Sequence, residues 1–157
     1  MEKIKSFTVN HLTLLPGIYV SRVDTLEGFT FTTYDLRFTR PNFEPVMDTA
    51  PIHTIEHLAA TYFRNYHGDE TMYFGPMGCR TGFYLIYKGI DNLDKVKKDV
   101  LACMDFIISF NGDIPGASPI ECGNYLDMNL PMANFLANRY LTNALYHADE
   151  SNLNYPQ

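Results

Sequence analysis

The chain has 157 residues, 46% of them hydrophobic and 19% charged, which fits one folded domain with its own core and excludes a disordered or fibrous protein. Its net charge is −6 and its lysines and arginines do not cluster, which argues against a nucleic-acid partner, because phosphate binding needs a concentrated basic patch. No apolar run is long enough to span a bilayer, and residues 1–6 hold neither an apolar stretch nor a small-residue cleavage site, so no membrane association and a cytoplasmic location are expected.

The first half reads as strand-rich. Residues 18–23 form a β-branched and aromatic run after Pro16-Gly17. Residues 28–39 set Phe29, Phe31, Tyr34, Leu36 and Phe38 among threonines, again a strand pattern, with a change of phase near Thr32-Thr33 that suggests a bulge. Pro41 and Pro45 mark a connection. A helix is expected from Asp48 or Thr49, with Pro51 in its first turn, an apolar series Ile52, Ile55, Ala59, Tyr62, Phe63 and Tyr66, and an end at His67-Gly68-Asp69. Two strands, residues 72–74 and 82–88, flank the loop Gly75-Pro76-Met77-Gly78-Cys79-Arg80-Thr81. A second helix, capped by Asp91 or Asn92, runs to about Phe110 on the stripe Leu93, Val96, Val100, Cys103 and Ile107. Residues 111–122 are a Gly/Pro loop, and a third helix runs from Leu130-Pro131 to about His147. The last ten residues have no strong pattern. Strands and helices segregate along the chain, so the expected class is α+β: an antiparallel sheet packed against a few helices, in a single domain over residues 1–157.

The chemistry begins at His53-Thr54-Ile55-Glu56-His57. Residues four apart on a helix project from one face, so His53 and His57 can chelate one divalent ion, while Glu56 flanks that face as an acid/base group. The order H-x-x-E-H is that of the inverted zincins. The bland alternative is a polar patch on an amphipathic helix. A catalytic metal needs a third ligand and an open position, and spacing offers His67, Glu70, Glu121 and Cys122. Cys122 is preferred because it follows irregular Gly/Pro backbone and offers a thiolate, although a lone cysteine is more often a small buried hydrophobe. Cys103 sits on an apolar stripe and reads as core. Cys79 lies in a Gly-flanked turn beside Arg80, where positive charge favours a thiolate, and is a candidate partner for Glu56.

These elements resemble the S-ribosylhomocysteine lyase (LuxS) family. The resemblance rests on His53-Thr-Ile-Glu-His57-Leu, on Pro76-Met-Gly-Cys79-Arg-Thr-Gly82 and on Cys122-Gly123. It rests also on Ser6-Phe7 followed by His11, and on Tyr34-Asp35-Leu36-Arg37-Phe38 leading into Arg40-Pro41-Asn42. It runs from about Ser6 to Leu141. It implies a homodimeric enzyme with active sites at the subunit interface and Fe(II) as the metal, with zinc or cobalt able to substitute. The implied reaction cleaves S-ribosylhomocysteine to homocysteine and 4,5-dihydroxypentane-2,3-dione, the precursor of autoinducer-2. His53, His57 and Cys122 would ligate the metal, Glu56 and Cys79 would be the acid/base pair, and Ser6, His11 and Arg37 would line the substrate pocket. That chemistry moves an aldose carbonyl along the sugar through enediolates until the thiol can leave by β-elimination. Each shift moves a proton and places negative charge on oxygen, which a Lewis acid stabilises. Two positions depart from the family pattern: Tyr73 stands where an Asp is usual and Gly75 where a Ser is usual. The same His/Glu order would also fit an inverted-zincin-type metallopeptidase with a downstream glutamate ligand, and the departures would suit an inactive metal-binding relative.

Overall fold

Thr32 to Arg37 have both their odd and their even positions buried, which marks the middle of a sheet rather than its edge. The computed structural model describes residues 2–4, 7–90 and 92–156, so the roles expected of Ser6 and Asp91 fall outside it. Strand β1 (Gly17–Leu26) pairs antiparallel with β2 (Phe29–Arg37). Glu27 and Gly28, with φ of 49° and 83°, make the two-residue turn whose twist suits a hairpin. Strand β4 (Gly82–Lys88) pairs with β2 on its other side, and β3 (Thr71–Pro76) closes the order β1-β2-β4-β3, all antiparallel.

The expected bulge near Thr32-Thr33 lies across the ladder instead. The register passes from Val20↔Tyr34 to Arg22↔Thr33, so the extra residue is Ser21 on β1. The phase change in β2 has a different cause: once both faces are buried, hydrophobicity stops reporting which face a residue points to.

On one face of the sheet Tyr34, Leu36, Phe74, Phe83, Leu85 and Tyr87 join the helices in one core. Strand alternation puts Asp35, Arg37, Tyr73, Tyr84 and Ile86 on the other. Helix α1 (Thr49–Tyr66) buries Ile52, Ile55, Leu58, Ala59 and Phe63. This leaves His53, Glu56 and His57 half-buried beside the apolar stripe. Asp48 holds the N-cap position without a side-chain cap bond, and the His67 N–H closes the far end on the Phe63 carbonyl at 2.8 Å. Helix α2 (Leu93–Ser109) starts where the Asn92 side chain accepts from the Lys95 N–H at 2.8 Å. Its Cys103 is fully buried, and burial pushes the thiol well up, as suits a core residue.

Helix α3 (Leu130–Asn143) is capped by Asn129, whose side chain accepts from the Met132 N–H at 3.0 Å. It stops short of the expected His147. Ala144 leaves helical geometry at φ −128° and ψ −61°, and Leu145–His147 form a separate 3₁₀ turn. The tail, unpatterned in sequence, holds a further 3₁₀ turn at Glu150–Leu153 and then returns to the sheet, where Tyr155 stacks on Tyr19 with ring centroids 5.3 Å apart.

Candidate active site

Helix α1 carries His53 and His57 one turn apart, and their Nε2 atoms lie 3.1 Å from each other. The loop between α2 and α3 lies over them. Its Asp127 carbonyl is 3.1 Å from His53 Nδ1, and its Pro115 carbonyl is 2.7 Å from His57 Nδ1. A carbonyl can only accept, so both Nδ1 atoms carry the proton and both Nε2 atoms present lone pairs. Cys122, from the same loop, brings its Sγ to 3.4 Å from His53 Nε2. The sulfur also accepts the Asn124 N–H at 3.4 Å. All three donor atoms fall within 4.8 Å of one another.

Two imidazole acceptors aimed at one point, with a thiol beside them, suit a divalent transition ion. A thiol proton can satisfy one lone pair, whereas a cation satisfies all three donors and deprotonates the thiol. Three protein ligands with soft and borderline donors fit iron, cobalt or zinc, and leave a coordination position free. The carbonyl bonds to Nδ1 set ring orientation and tautomer before any ion binds.

Thr54 and Gly116 hold the loop in place. The Thr54 hydroxyl donates to the Ala50 carbonyl at 2.9 Å and accepts the Asn129 N–H at 2.9 Å, tying the end of the loop to α1. Gly116 adopts φ +71°, and a Cβ there would meet His57 Nδ1 at 3.3 Å. Gly116→Ala is therefore expected to cost about 1 kcal/mol or more in stability and to lower metal affinity about tenfold, checked by thermal melts and by metal titration.

The other candidate ligands lie elsewhere. His67 and Glu70 form a separate cluster with Asp99, in which Lys95 Nζ sits 2.7 Å from Glu70 and 3.0 Å from Asp99. Glu121 accepts from the Ser118 hydroxyl at 2.7 Å. Glu56 is half-buried one residue before His57, and no hydrogen bond among the described residues holds its carboxylate.

A second constellation forms on the opposite face of the sheet. Arg37 forks onto Asp35, Nε to Oδ1 at 3.1 Å and Nη2 to Oδ2 at 2.5 Å. Asp35 raises the guanidinium pKa against the opposing effect of burial. Arg37 Nη1 then donates to the Thr81 hydroxyl at 2.6 Å and points at Cys79 Sγ, 3.9 Å away. Arginine can only donate, so Thr81 accepts from it and has its own proton free for Cys79 Sγ at 3.1 Å. The guanidinium that points at the Cys79 sulfur is that of Arg37, on a strand distant in sequence. Phe7, Val9, His11, Arg37, Cys79 and Tyr155 line one cavity of about 460 Å³. Of the expected pocket residues, His11 and Arg37 are there.

A family model for S-ribosylhomocysteinase (LuxS) matches residues 4–151. The chain belongs to the LuxS family. A protein of Clostridium beijerinckii named S-ribosylhomocysteine lyase is 57% identical over 162 aligned positions, covering 99% of each chain. Proteins of the same name from Clostridium acetobutylicum and Finegoldia magna are each 53% identical and aligned over all of both chains.

Within this LuxS chain the two departures form a pair. The Tyr73 phenol lies directly over Gly75, in space that any Cβ at 75 would occupy. A side chain at position 75 would turn the half-exposed Tyr73 ring aside. Tyr73 lines a neighbouring cavity with Thr33, Tyr84 and Ile86, and Tyr84 is shared with the Cys79 cavity. Several residues that shape the site take no role from the sequence. Asp35 and Thr81 stand in the motifs that carry the resemblance but are assigned no function, Tyr155 lies in an unpatterned tail, and the carbonyls of Pro115 and Asp127 carry no side-chain signature.

Proposed function

We propose that this chain is an S-ribosylhomocysteine lyase, a carbon–sulfur lyase that gives homocysteine and 4,5-dihydroxypentane-2,3-dione. The observation that carries the reading is the convergence of two Nε2 lone pairs and the Cys122 sulfur beside Glu56, in a chain of the LuxS family. His53, His57 and Cys122 would hold the metal, Fe(II) in this reading, with zinc or cobalt able to replace it. The bound ion supplies Lewis acidity toward the sugar oxygens.

The chain's own groups move the protons. Glu56 takes and returns protons at the metal side of the sugar. Cys79, faced by the Arg37 guanidinium and the Thr81 hydroxyl, serves as the acid/base group on the other side. Alternating between them, the carbonyl walks two carbons along the chain. Removal of the proton from the carbon between the carbonyl and the C–S carbon then expels homocysteine as thiolate, which is protonated on release. No oxidant and no net water enter. His11 and Arg37 line the pocket that would hold the substrate, and Ser6, outside the described residues, is the third contact of this reading.

The reading includes a homodimer whose sites need both chains. In one chain the Cys79 cavity has none of the three metal ligands in its wall, and Phe7, at the cavity, is 72% exposed. A partner surface would cover that apolar edge and bring metal and thiolate together. Mixing His57→Ala chains with Cys79→Ala chains, each inactive alone, should then restore about a quarter of the activity. No restoration on mixing would reject shared sites.

The test of the activity is product identity. S-ribosylhomocysteine should yield free thiol and a dicarbonyl, trapped by 1,2-phenylenediamine, in equal amounts. Homocysteine accompanied by free ribose would mean hydrolysis and would reject the lyase.

A further inference from the structure

The buried Arg37–Asp35 fork ends on a residue outside the part of the chain that the family model matches. Tyr155, beyond residues 4–151, donates its hydroxyl to Asp35 Oδ2 at 2.9 Å. We propose that Tyr155 and Asp35 are positioning residues for Cys79, acting through Arg37, and that the C-terminal tail thereby completes one wall of the Cys79 cavity. The role of Cys79 in turnover is taken from the lyase reading above; the alignment of Arg37 on its sulfur stands apart from that reading.

Asp35 has no exposed surface and Arg37 only 3%. Burial pushes the Asp35 carboxyl up, and Arg37, Tyr155 and His11 oppose that push. A carboxylate so buried needs donors on both oxygens. Arg37 supplies one to each, and Tyr155 supplies a second to Oδ2. With the carboxylate held from both sides, the guanidinium plane has one orientation, and its remaining arm falls on Thr81 and Cys79. The Tyr155 ring is itself fixed, lying 23° from parallel on Tyr19. The tyrosine is no part of the main hydrophobic core. Loss of its hydroxyl should therefore disturb the alignment of Arg37 without unfolding the domain.

The variant that isolates the effect is Tyr155→Phe, which keeps the ring and removes the hydroxyl with its bonds to Asp35 and Ser21. In the metal-loaded full chain, metal content should match the wild type and the melting temperature should fall by no more than about a few degrees. Alkylation of Cys79 by iodoacetamide at pH 7, followed by mass on the Cys79 peptide, should slow about threefold. With S-ribosylhomocysteine, kcat should fall about three- to tenfold while KM stays within about twofold. Asp35→Asn should slow alkylation further. If Asp35 were only a countercharge to Arg37, its removal would speed alkylation instead, and that result would overturn the proposal. So would a Tyr155→Phe protein that alkylates at the wild-type rate, or one whose losses track lost metal. A wild-type protein that releases no thiol would sink the lyase reading, while the alkylation rates would still decide the positioning role.

Discussion

Cys122→Ala protein is expected to bind its metal on the order of a hundredfold more weakly than the wild type, and to emerge from chelator-treated buffer nearly metal-free. The substitution removes the one anionic donor. Two neutral imidazoles would remain, Nε2 to Nε2 at 3.1 Å, and a divalent ion on two nitrogens has lost both a ligand and the charge that offset its own. His57→Ala should behave alike. Glu121→Ala is the control: its carboxylate is engaged by Ser118 within the loop, so metal content should stay near one ion per chain. Elemental analysis of the three proteins decides the matter. Loss of metal from Glu121→Ala with retention in Cys122→Ala would instead support a carboxylate ligand of the peptidase kind.

Glu56→Gln and Cys79→Ala should show the complementary pattern, with metal retained and turnover reduced by about 10²- to 10⁴-fold. The glutamine keeps the shape of Glu56 but cannot take a proton. The carboxylate has no hydrogen bond among the described residues, so the exchange orphans no partner. Cys79 is exposed to the solvent, so its replacement should cost little stability. Arg37 is different. Its removal would leave Asp35 buried without its cation, a loss of about 3–5 kcal/mol, so its variants report on folding as well as on chemistry. Thiol release at saturating substrate, with metal content measured on the same samples, separates these cases. Wild-type turnover in either variant would remove that residue from the proton-transfer path.

How much of this was legible in the sequence follows from the kind of signal each part leaves. His53, Glu56 and His57 declare themselves because a regular helix turns spacing into a face. The residues of β4 were readable to both ends because Gly82 and Gly89 bracket a continuous apolar and aromatic run. Spacing left four candidates for a third ligand, since the loop between α2 and α3 has no period, and side-chain chemistry favoured Cys122. The fold brings the Cys122 sulfur to His53 and leaves Glu121 on Ser118. Arg37 as a neighbour of Cys79 depended on the fold for a related reason. Sequence adjacency pointed to Arg80, whereas the pairing of Arg37 with Gly82 across the ladder delivers a guanidinium from β2. Asp35 and Tyr155 are 120 residues apart and meet only because the tail returns to the sheet. The α+β class was visible from the segregation of strands and helices. The position of the bulge was not, because a strand buried on both faces hides its own register.

The most direct test of the central claim is turnover measured against metal occupancy under air-free conditions. Protein stripped by a chelator should release no thiol from S-ribosylhomocysteine. Stepwise addition of Fe(II) should restore thiol release in proportion to bound metal, reaching its maximum at about one ion per chain. Release at the full rate from the stripped protein, or none from protein carrying one ion on His53, His57 and Cys122, would contradict it.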